Sequence, residues 1–260
     1  VRLSGGMKMR YVIRPRRTLA RLTVMLMVLV GAMPAYALDS KALPTGASVT
    51  LGAASFNQSG ARLDVTQSTG KLVTNWNTFN IGSAASVNFL QPSTSSVALN
   101  RVTAGAGASD IQGKLTSNGQ VFLLNPDGVF FARNAQVNVG GLVASTLYLS
   151  DADFASGNYR FENRGSTGAV INQGEMNARQ GGYIALLAPE VRNEGIITAQ
   201  LGTVAMAAGD RITLDFAGDQ LVNLSFDNAA LNASVENRHA IVADCGLVVL
   251  AAKTAGDVAL

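Results

Sequence analysis

Short apolar runs of about four to eight residues, divided by Gly, Asn and Asp, make up most of the chain after residue 38. Examples are Ser86–Leu90, Val97–Val102, Gln120–Leu124, Gly128–Phe131 and Ala135–Val139. No stretch here has the length and 3.6-residue periodicity of an amphipathic helix, since Leu142–Leu149 and Asp151–Gly157 offer only single helical turns. The pattern predicts many short β-strands joined by tight turns, as in either a sandwich or a solenoid.

An internal repeat favours the solenoid. Ile197–Ala208 (ITAQLGTVAMAA) aligns without a gap with Ile241–Ala252 (IVADCGLVVLAA), 44 residues later. Met176–Ala188 has the same layout with one extra Gly, and an Asn-x-Gly phrase recurs at Asn172 and Asn193, 21 residues apart. Self-similarity at such periods indicates stacked repeats. A period near 21 suits one coil of a parallel β-helix, which predicts some ten coils in a rod of roughly 50 Å.

In such a coil, apolar side chains alternate into the interior, and Gly and Asn occupy the corners. Cys245 falls at an interior-looking repeat position and is interpreted as a small core residue. Residues 38–80 are less repetitive and contain Pro44, Trp76 and Phe79. Because an uncapped solenoid end templates aggregation, we interpret 38–80 as an N-terminal cap and 81–260 as the β-helix.

The N-terminus has the three parts of a secretory signal peptide. Seven Arg and Lys residues and no acid precede residue 22, and Leu22–Met33 is apolar. Pro34 and the A-x-A triplet formed by Ala35, Tyr36 and Ala37 follow. The apolar run is too short for a membrane-spanning helix, which needs about 20 residues. We predict a signal peptide over 1–37, cleaved after Ala37 and used by the general inner-membrane export machinery.

Removal of the leader changes the charge of the protein. It leaves 13 basic and 17 acidic residues, a net charge of −4. A mildly acidic domain without a Lys/Arg cluster argues against nucleic acid as a partner. With Cys245 as the single cysteine, no disulfide can form within the chain.

A polysaccharide-active enzyme is the rival interpretation, since parallel β-helices also carry such enzymes. Their sites need clustered carboxylates for Ca²⁺ or for acid/base catalysis. The acids here are scattered: Asp151 and Asp153 are interpreted as solvated loop residues, and His239, the single histidine, as a surface residue. We therefore predict no catalytic residue, no metal site and no cofactor. A self-contained autotransporter passenger is a third possibility, but the chain contains no strands of a membrane barrel.

Several consecutive segments carry a family resemblance. They are NWNTFNIG at Asn75–Gly82, SVNFLQP at Ser86–Pro92, SVALNRV at Ser96–Val102, GKLTSNGQVFLLNPDGVFF at Gly113–Phe131 and AQVNVGGLVAST at Ala135–Thr146. The chain resembles the two-partner secretion domain of filamentous-haemagglutinin-type exoproteins, especially the high-molecular-weight adhesin branch. The resemblance covers about residues 38–260.

The resemblance implies a right-handed parallel β-helix with an N-terminal cap, recognised by the periplasmic soluble domains of an outer-membrane β-barrel transporter. It implies export through the periplasm to the cell surface or the medium of a Gram-negative bacterium. A host-cell receptor or glycan would be bound by the full-length protein.

The family's N-P-N-G-I motif matches Asn125, Pro126, Asp127, Gly128 and Val129, with Asp and Val departing from it, and no clear copy of the second motif, N-P-N-L, is present. Turn chemistry predicts a sharp corner at this motif, with φ > 0 at Gly128. Whether the corner contacts the transporter or only holds the fold is left open by the sequence.

Overall fold

The computed structural model describes residues 37–103, 105–216, 222–228 and 233–253. These residues form 22 β-strands and a single short helix, α1 (Asp151–Ser156). No helix in these ranges has the length and apolar character to cross a membrane.

Two faces of parallel strands lie side by side along the described chain. Face A contains β3 (Arg62–Gln67), β5 (Ser86–Leu90), β8 (Lys114–Ser117), the first parts of β11 (Gln136–Ser145) and β14 (Glu175–Ala188), β16 (Ile196–Thr198) and β21 (Ala240–Val242). Face B contains β4 (Lys71–Trp76), β6 (Val97–Val102), β9 (Gln120–Leu124), the second parts of β11 and β14, β17 (Thr203–Ala208) and β22 (Leu247–Ala252). Since β11 and β14 continue around the corner, the two faces form one sheet.

A second parallel sheet, face C, closes five of the coils. It contains β7 (Ser109–Ile111), β10 (Val129–Phe131), β13 (Ala169–Asn172), β15 (Glu190–Asn193) and β20 (Ser234–Asn237). The chain passes through faces C, A and B in turn, and each strand pairs with the equivalent strand of the next coil. The predicted parallel β-helix is confirmed, and the predicted strands at β5, β6 and β9 match residue for residue.

The strand register confirms the repeat alignment. Ile197 pairs with Ile241 and Ala208 with Ala252, so the 44-residue offset is one step between neighbouring coils. Met176 pairs with Ile197, 21 residues on, whereas Tyr183 pairs with Thr203, 20 residues on. The extra Gly seen in the sequence is therefore absorbed at the corner between faces A and B.

The predicted number of coils is wrong. The described residues supply seven strands to face A and seven to face B, which corresponds to a rod of about 30 Å at the usual strand spacing. Two long excursions account for the difference, one between β11 and β13 and the other between β17 and β20. The described residues of these excursions build a separate layer outside the coils.

The two excursions combine into an antiparallel sheet of β12 (Tyr159–Glu162), β18 (Arg211–Phe216) and β19 (Val222–Asn228). Together with α1 it covers face B and encloses a second hydrophobic core around Phe122, Phe154 and Phe161. Asp151 and Asp153 lie in the first turn of α1, not in a loop as predicted. The Ser150 hydroxyl caps this helix by accepting from the Asp153 amide, and Asp151 pairs with Arg101 at 2.7 Å.

The main core is a stack of apolar side chains inside the coils. One column of consecutive register partners runs through face A: Leu63, Val87, Leu115, Val137, Met176, Ile197 and Ile241. The five central members are fully buried. Burial of a side chain of this size contributes about 1.5–3 kcal/mol, so this column is a principal source of stability.

Antiparallel strands cover the N-terminal end of the stack. β1 (Ser48–Leu51) pairs with β4, and β2 (Ala54–Ser59) pairs with β3. Trp76 lies between the rings of Phe56 and Phe79, in edge-to-face contact with both. The 38–80 segment thus contains two antiparallel strands and also β3 and β4, which already pair in parallel with the next coil.

The corner between faces A and B explains a second wrong prediction. Cys245 is exposed and has φ 56°, so it is a turn residue and not a core residue. Leu201, at the equivalent position of the preceding coil, has φ 52°, and Gly181 has φ 71°. The corner requires a left-handed residue here whatever its side chain, and Leu201 at the equivalent position is also 47% exposed, so this position faces solvent.

Candidate partner-recognition corner

The motif segment forms the corner between β9 on face B and β10 on face C. The Gly128 amide donates to the Asn125 carbonyl at 3.0 Å, and the Asp127 amide donates to Oδ1 of Asn125 at 3.0 Å. These bonds combine a β-turn with an Asx-turn. Gly128 has φ 125°, in agreement with the positive φ expected from the sequence.

Asn125 fastens this corner to the preceding coil. Its side chain is fully buried, and Nδ2 donates to the Gly107 carbonyl and to Oγ of Ser109, both at 3.0 Å. With the turn bond to Asp127, both ends of the amide are satisfied. A buried amide in this position contributes to the fold, because loss of the side chain leaves several polar groups without partners.

Asp127 orders the loop that precedes β7. One carboxylate oxygen, Oδ2, accepts from the amides of Gly105 at 2.7 Å and Gly107 at 2.9 Å. Both glycines have positive φ, near 84° and 82°. Charge-assisted bonds of this length are stronger than neutral ones. The Asp that departs from the family motif therefore supplies a full negative charge to two backbone donors.

The following coil closes on the corner from the other side. Oγ of Ser166 donates to the Pro126 carbonyl at 2.6 Å. A Cβ on Gly168 would lie 2.6 Å from the amide nitrogen of Gly128, so only glycine permits this approach. The motif is thus bonded to the coil before it and to the coil after it.

The structure separates the five predicted motif residues into two groups. Asn125, Gly128 and Val129 are buried, whereas Pro126 and Asp127 are partly exposed. Only the latter two present side-chain surface that another protein could contact.

A cavity of about 450 Å³ lies beside this corner and shares Pro126 and Ser166 with it. Its apolar lining includes Val102, Leu124 and Leu147, which come from two strands of face B and the segment after β11. Arg101, Tyr148 and Arg164 add a polar and cationic rim.

The two rim arginines have different electrostatic environments. Arg101 donates to the Leu149 carbonyl and to Asp151, both at 2.7 Å. Arg164 lies with its guanidinium carbon 3.6 Å from the ring centroid of Tyr148, a cation–π contact, and pairs with no carboxylate of the described residues. Neither arginine was predicted as a site residue, because the cavity forms only when separate coils meet. Arg101 lies in the family-like segment Ser96–Val102, but nothing in that segment marks it as a binding residue.

Elsewhere in the described ranges, no three His, Cys, Asp or Glu side chains come together in a way that could hold a metal ion. His239 is exposed, as predicted. The Arg62 guanidinium hydrogen-bonds to Asp64 and holds the pKa of that carboxyl below its ordinary value, an exposed ion pair on face A. Of the predicted signal-cleavage residues, Ala35 lies outside the described residues, and Ala37 is the first of them and is exposed.

The fold places the chain among parallel β-helix proteins, with a tight turn at Asn125–Val129 as one of its corners. The model of the TPS (two-partner secretion) domain family matches residues 40–259, and the chain belongs to this family.

Two solved structures share the fold. Against the crystal structure of the HMW1 secretion domain from Haemophilus influenzae, the TM-score is 0.72 and the identity 30%, over 80% of this chain and 56% of that one. Against the filamentous hemagglutinin secretion domain, the TM-score is 0.52 and the identity 18%, over 79% and 75% of the two chains. The second likeness concerns the fold alone.

Two curated relatives are heme/hemopexin-binding proteins of Haemophilus influenzae. One is 36% identical over 228 residues, which is 85% of this chain and 24% of that protein. The other is 41% identical over 113 residues, which is 44% of this chain and 12% of that protein. The chain thus spans about a quarter or less of the length of these relatives. The family match supports a secretion domain over the enzyme and autotransporter interpretations.

Proposed function

We propose that this domain is recognised by the periplasmic soluble domains of a cognate outer-membrane β-barrel transporter and directs export of the protein to which it belongs. The observation that carries the proposal is the motif corner, a rigid turn bonded to both neighbouring coils, within a chain of the two-partner secretion family. In this proposal the domain is the export signal that the transporter recognises, and it carries out no reaction.

Within the motif, two roles are divided among the residues. Asn125, Gly128 and Val129 hold the corner, because they are buried. Pro126 and Asp127 reach the surface and contact the transporter. Direct recognition of partly exposed side chains on a rigid turn needs little ordering on binding, which favours affinity.

Export assays with the transporter co-expressed in a Gram-negative host test this division. We expect Pro126→Ala to lower export while it changes the free energy of unfolding by about 1 kcal/mol or less. Asn193→Ala is the stability control: it destabilises the domain by removing a fully buried corner asparagine away from the motif and leaves Pro126 and Asp127 in place. If export follows stability alone across these variants, the corner only holds the fold. If the wild type fails to bind the purified periplasmic domains, the proposed function is wrong.

The C-terminal coil supports a second part of the proposal, that the domain templates further coils. Val204 and Met206 are fully buried inside β17, but their register partners in β22, Val248 and Leu250, are 43% and 49% exposed. A coil added beyond β22 would cover these interior-facing side chains, as each coil does for its predecessor. Val248→Asp with Leu250→Asp should leave earlier coils folded and slow folding of any β-helix placed after them, measured by circular dichroism on a longer chain.

The predicted leader completes the proposed export route. Residues 1–37 would direct passage through the inner membrane by the general export machinery, with cleavage after Ala37. N-terminal sequencing of the exported protein should then begin at Leu38. Adhesion to a host-cell receptor or glycan is assigned to the full-length exoprotein.

A further inference from the structure

We propose that the cavity beside the motif corner is the pocket that seats an acidic, apolar segment of the transporter's periplasmic domain, with Arg164 as its anion anchor. The inference rests on the proposed function and adds to it a binding site that the motif does not contain. Shape, charge and unpaired polar groups at the cavity carry the argument.

The cavity has the form of a binding pocket. Its volume of about 450 Å³ falls within the ordinary range of roughly 300–1,000 Å³ for ligand sites. Val102, Leu124 and Leu147 form apolar walls, and each of them is at least 98% buried in the domain. Pairing with neighbouring strands fixes Val102 and Leu124, and the Leu147 amide donates to Oγ of Ser145 at 3.0 Å, so the pocket exists before any partner binds.

The charge at the rim favours an anion. No Asp or Glu lines the cavity, and Arg164 pairs with no carboxylate within the described part of the chain. Its guanidinium carbon lies 3.6 Å from the Tyr148 ring centroid, and a guanidinium in contact with an aromatic ring can still donate hydrogen bonds to a carboxylate. Arg101 stacks on the same ring, 5.1 Å from its centroid, and adds positive potential although Asp151 pairs with it.

Two buried polar atoms at the cavity lack partners. Thr146 is 2% exposed, and its Oγ1 makes no hydrogen bond within the described residues. Nε of Arg101 is likewise buried and unpaired. Buried polar groups are nearly always satisfied, by protein or by ordered water, so these two atoms beside the cavity remain available to a bound segment.

A polypeptide is the occupant that the position favours. The pocket is continuous with the motif corner, because Pro126 and Ser166 both line it and Oγ of Ser166 donates to the Pro126 carbonyl. A partner that contacts Pro126 and Asp127 would therefore reach the pocket with a neighbouring segment. An aspartate or glutamate next to an apolar side chain satisfies both the rim and the walls.

The test measures binding of the transporter's purified periplasmic domains to the domain and its variants by calorimetry. Arg164→Ala should weaken binding about tenfold, as expected for loss of a charge-assisted hydrogen bond, and should reduce the salt dependence. Arg133→Ala is the matched control: it removes an exposed arginine at another corner and should leave affinity unchanged. Thr146→Val keeps the shape and removes the unpaired hydroxyl, and should weaken binding severalfold without loss of stability.

The outcomes separate this inference from the proposed function. If the wild type binds and both pocket variants bind equally well, the pocket is not the site, and the proposed function stands. If Arg133→Ala weakens binding as much as Arg164→Ala does, general charge attraction explains the effect and the pocket inference is wrong. If the wild type does not bind at all, the proposed function fails, and the pocket inference fails with it.

Discussion

Asn172 and Asn193 occupy the same corner of successive coils, and Nδ2 of Asn172 donates to Oδ1 of Asn193 at 2.8 Å. Asn193 in turn donates to Oδ1 of Asn237 in the next coil at 2.7 Å. The Asn-x-Gly phrase found in the sequence is therefore an amide ladder between faces C and A. Each side chain also accepts the amide of the glycine that ends its phrase, Gly174 or Gly195.

Replacement of the central ladder residue should destabilise the domain strongly. Asn193→Ala leaves the buried Asn172 side chain and the buried Gly195 amide without their partner, and removes the bond to the exposed Asn237. We expect a loss of about 2–4 kcal/mol in the free energy of unfolding, measured by urea denaturation. Asn177→Ala, at a less buried asparagine pair on face A, is the control and should cost less than about 1 kcal/mol. Equal losses would mean that the ladder has no special role.

Glycines of successive coils, Gly182, Gly202 and Gly246, stack at the corner between faces A and B. We predict that no larger residue fits in this stack. A Cβ on Gly202 would lie 1.9 Å from the Gly182 carbonyl oxygen of the coil before it. Gly202→Ala must push these coils apart, so we expect a loss of at least about 3 kcal/mol, seen as a lower urea midpoint. A Cβ on Gly70 would meet nothing within 4 Å. Gly70→Ala should therefore be neutral or slightly stabilising, and a large loss there would contradict the steric explanation.

We predict that buried Tyr183 makes the free energy of unfolding depend on pH in the alkaline range. Burial raises its pKa well above 10, while its hydroxyl donates to Oε1 of Gln120 at 2.6 Å. The unfolded chain ionises near pH 10 and the folded one does not, so the free energy of unfolding falls as pH rises above about 10. Tyr183→Phe should flatten this fall at a cost near 1 kcal/mol at neutral pH.

Tyr148→Phe is the matched exchange for this measurement, because the Tyr148 hydroxyl makes no hydrogen bond in the described ranges. It should retain the alkaline loss of stability seen in the wild type. An alkaline transition that is unchanged in Tyr183→Phe would exclude this residue as its source.

Lys71 on face B hydrogen-bonds to helix α1 of the outer layer. Its Nζ donates to the carbonyls of Phe154 at 3.0 Å and Ala155 at 2.8 Å, at the C-terminal end of α1. Positive charge at this end of a helix is stabilising. Lys71→Met keeps most of the side-chain length and should lower stability by about 1 kcal/mol, with faster amide exchange in α1. Unchanged exchange there would show that α1 is held by the burial of Phe154 alone.

Much of the fold could be predicted from the amino-acid sequence. Strands β5, β6 and β9 were predicted to the residue because each apolar run is bounded by turn-forming residues. The repeats were placed in register because equivalent positions in neighbouring coils pair directly. The sharp corner at Asn125–Val129 followed from the turn preferences of Pro, Asp and Gly.

The errors arose in one excursion from the coils and at one corner of a coil. Asp151–Ser156 became a helix because Ser150 caps it and Arg101, fifty residues away in sequence, pairs with its first turn. Cys245 was assigned inward because its neighbours are apolar, whereas the corner geometry sets φ and turns it outward. Neither the Arg101–Asp151 pair nor the left-handed φ at Cys245 produces a periodic pattern in the sequence.

The sequence by itself determined the class of fold, the family and the motif, because these depend on local turn chemistry and on a repeat that is written along the chain. Only the tertiary structure decided how many coils there are, which motif residues are exposed and where the pocket lies. Those features depend on side chains from separate coils, such as Arg101, Thr146 and Arg164, which come together only when the coils stack.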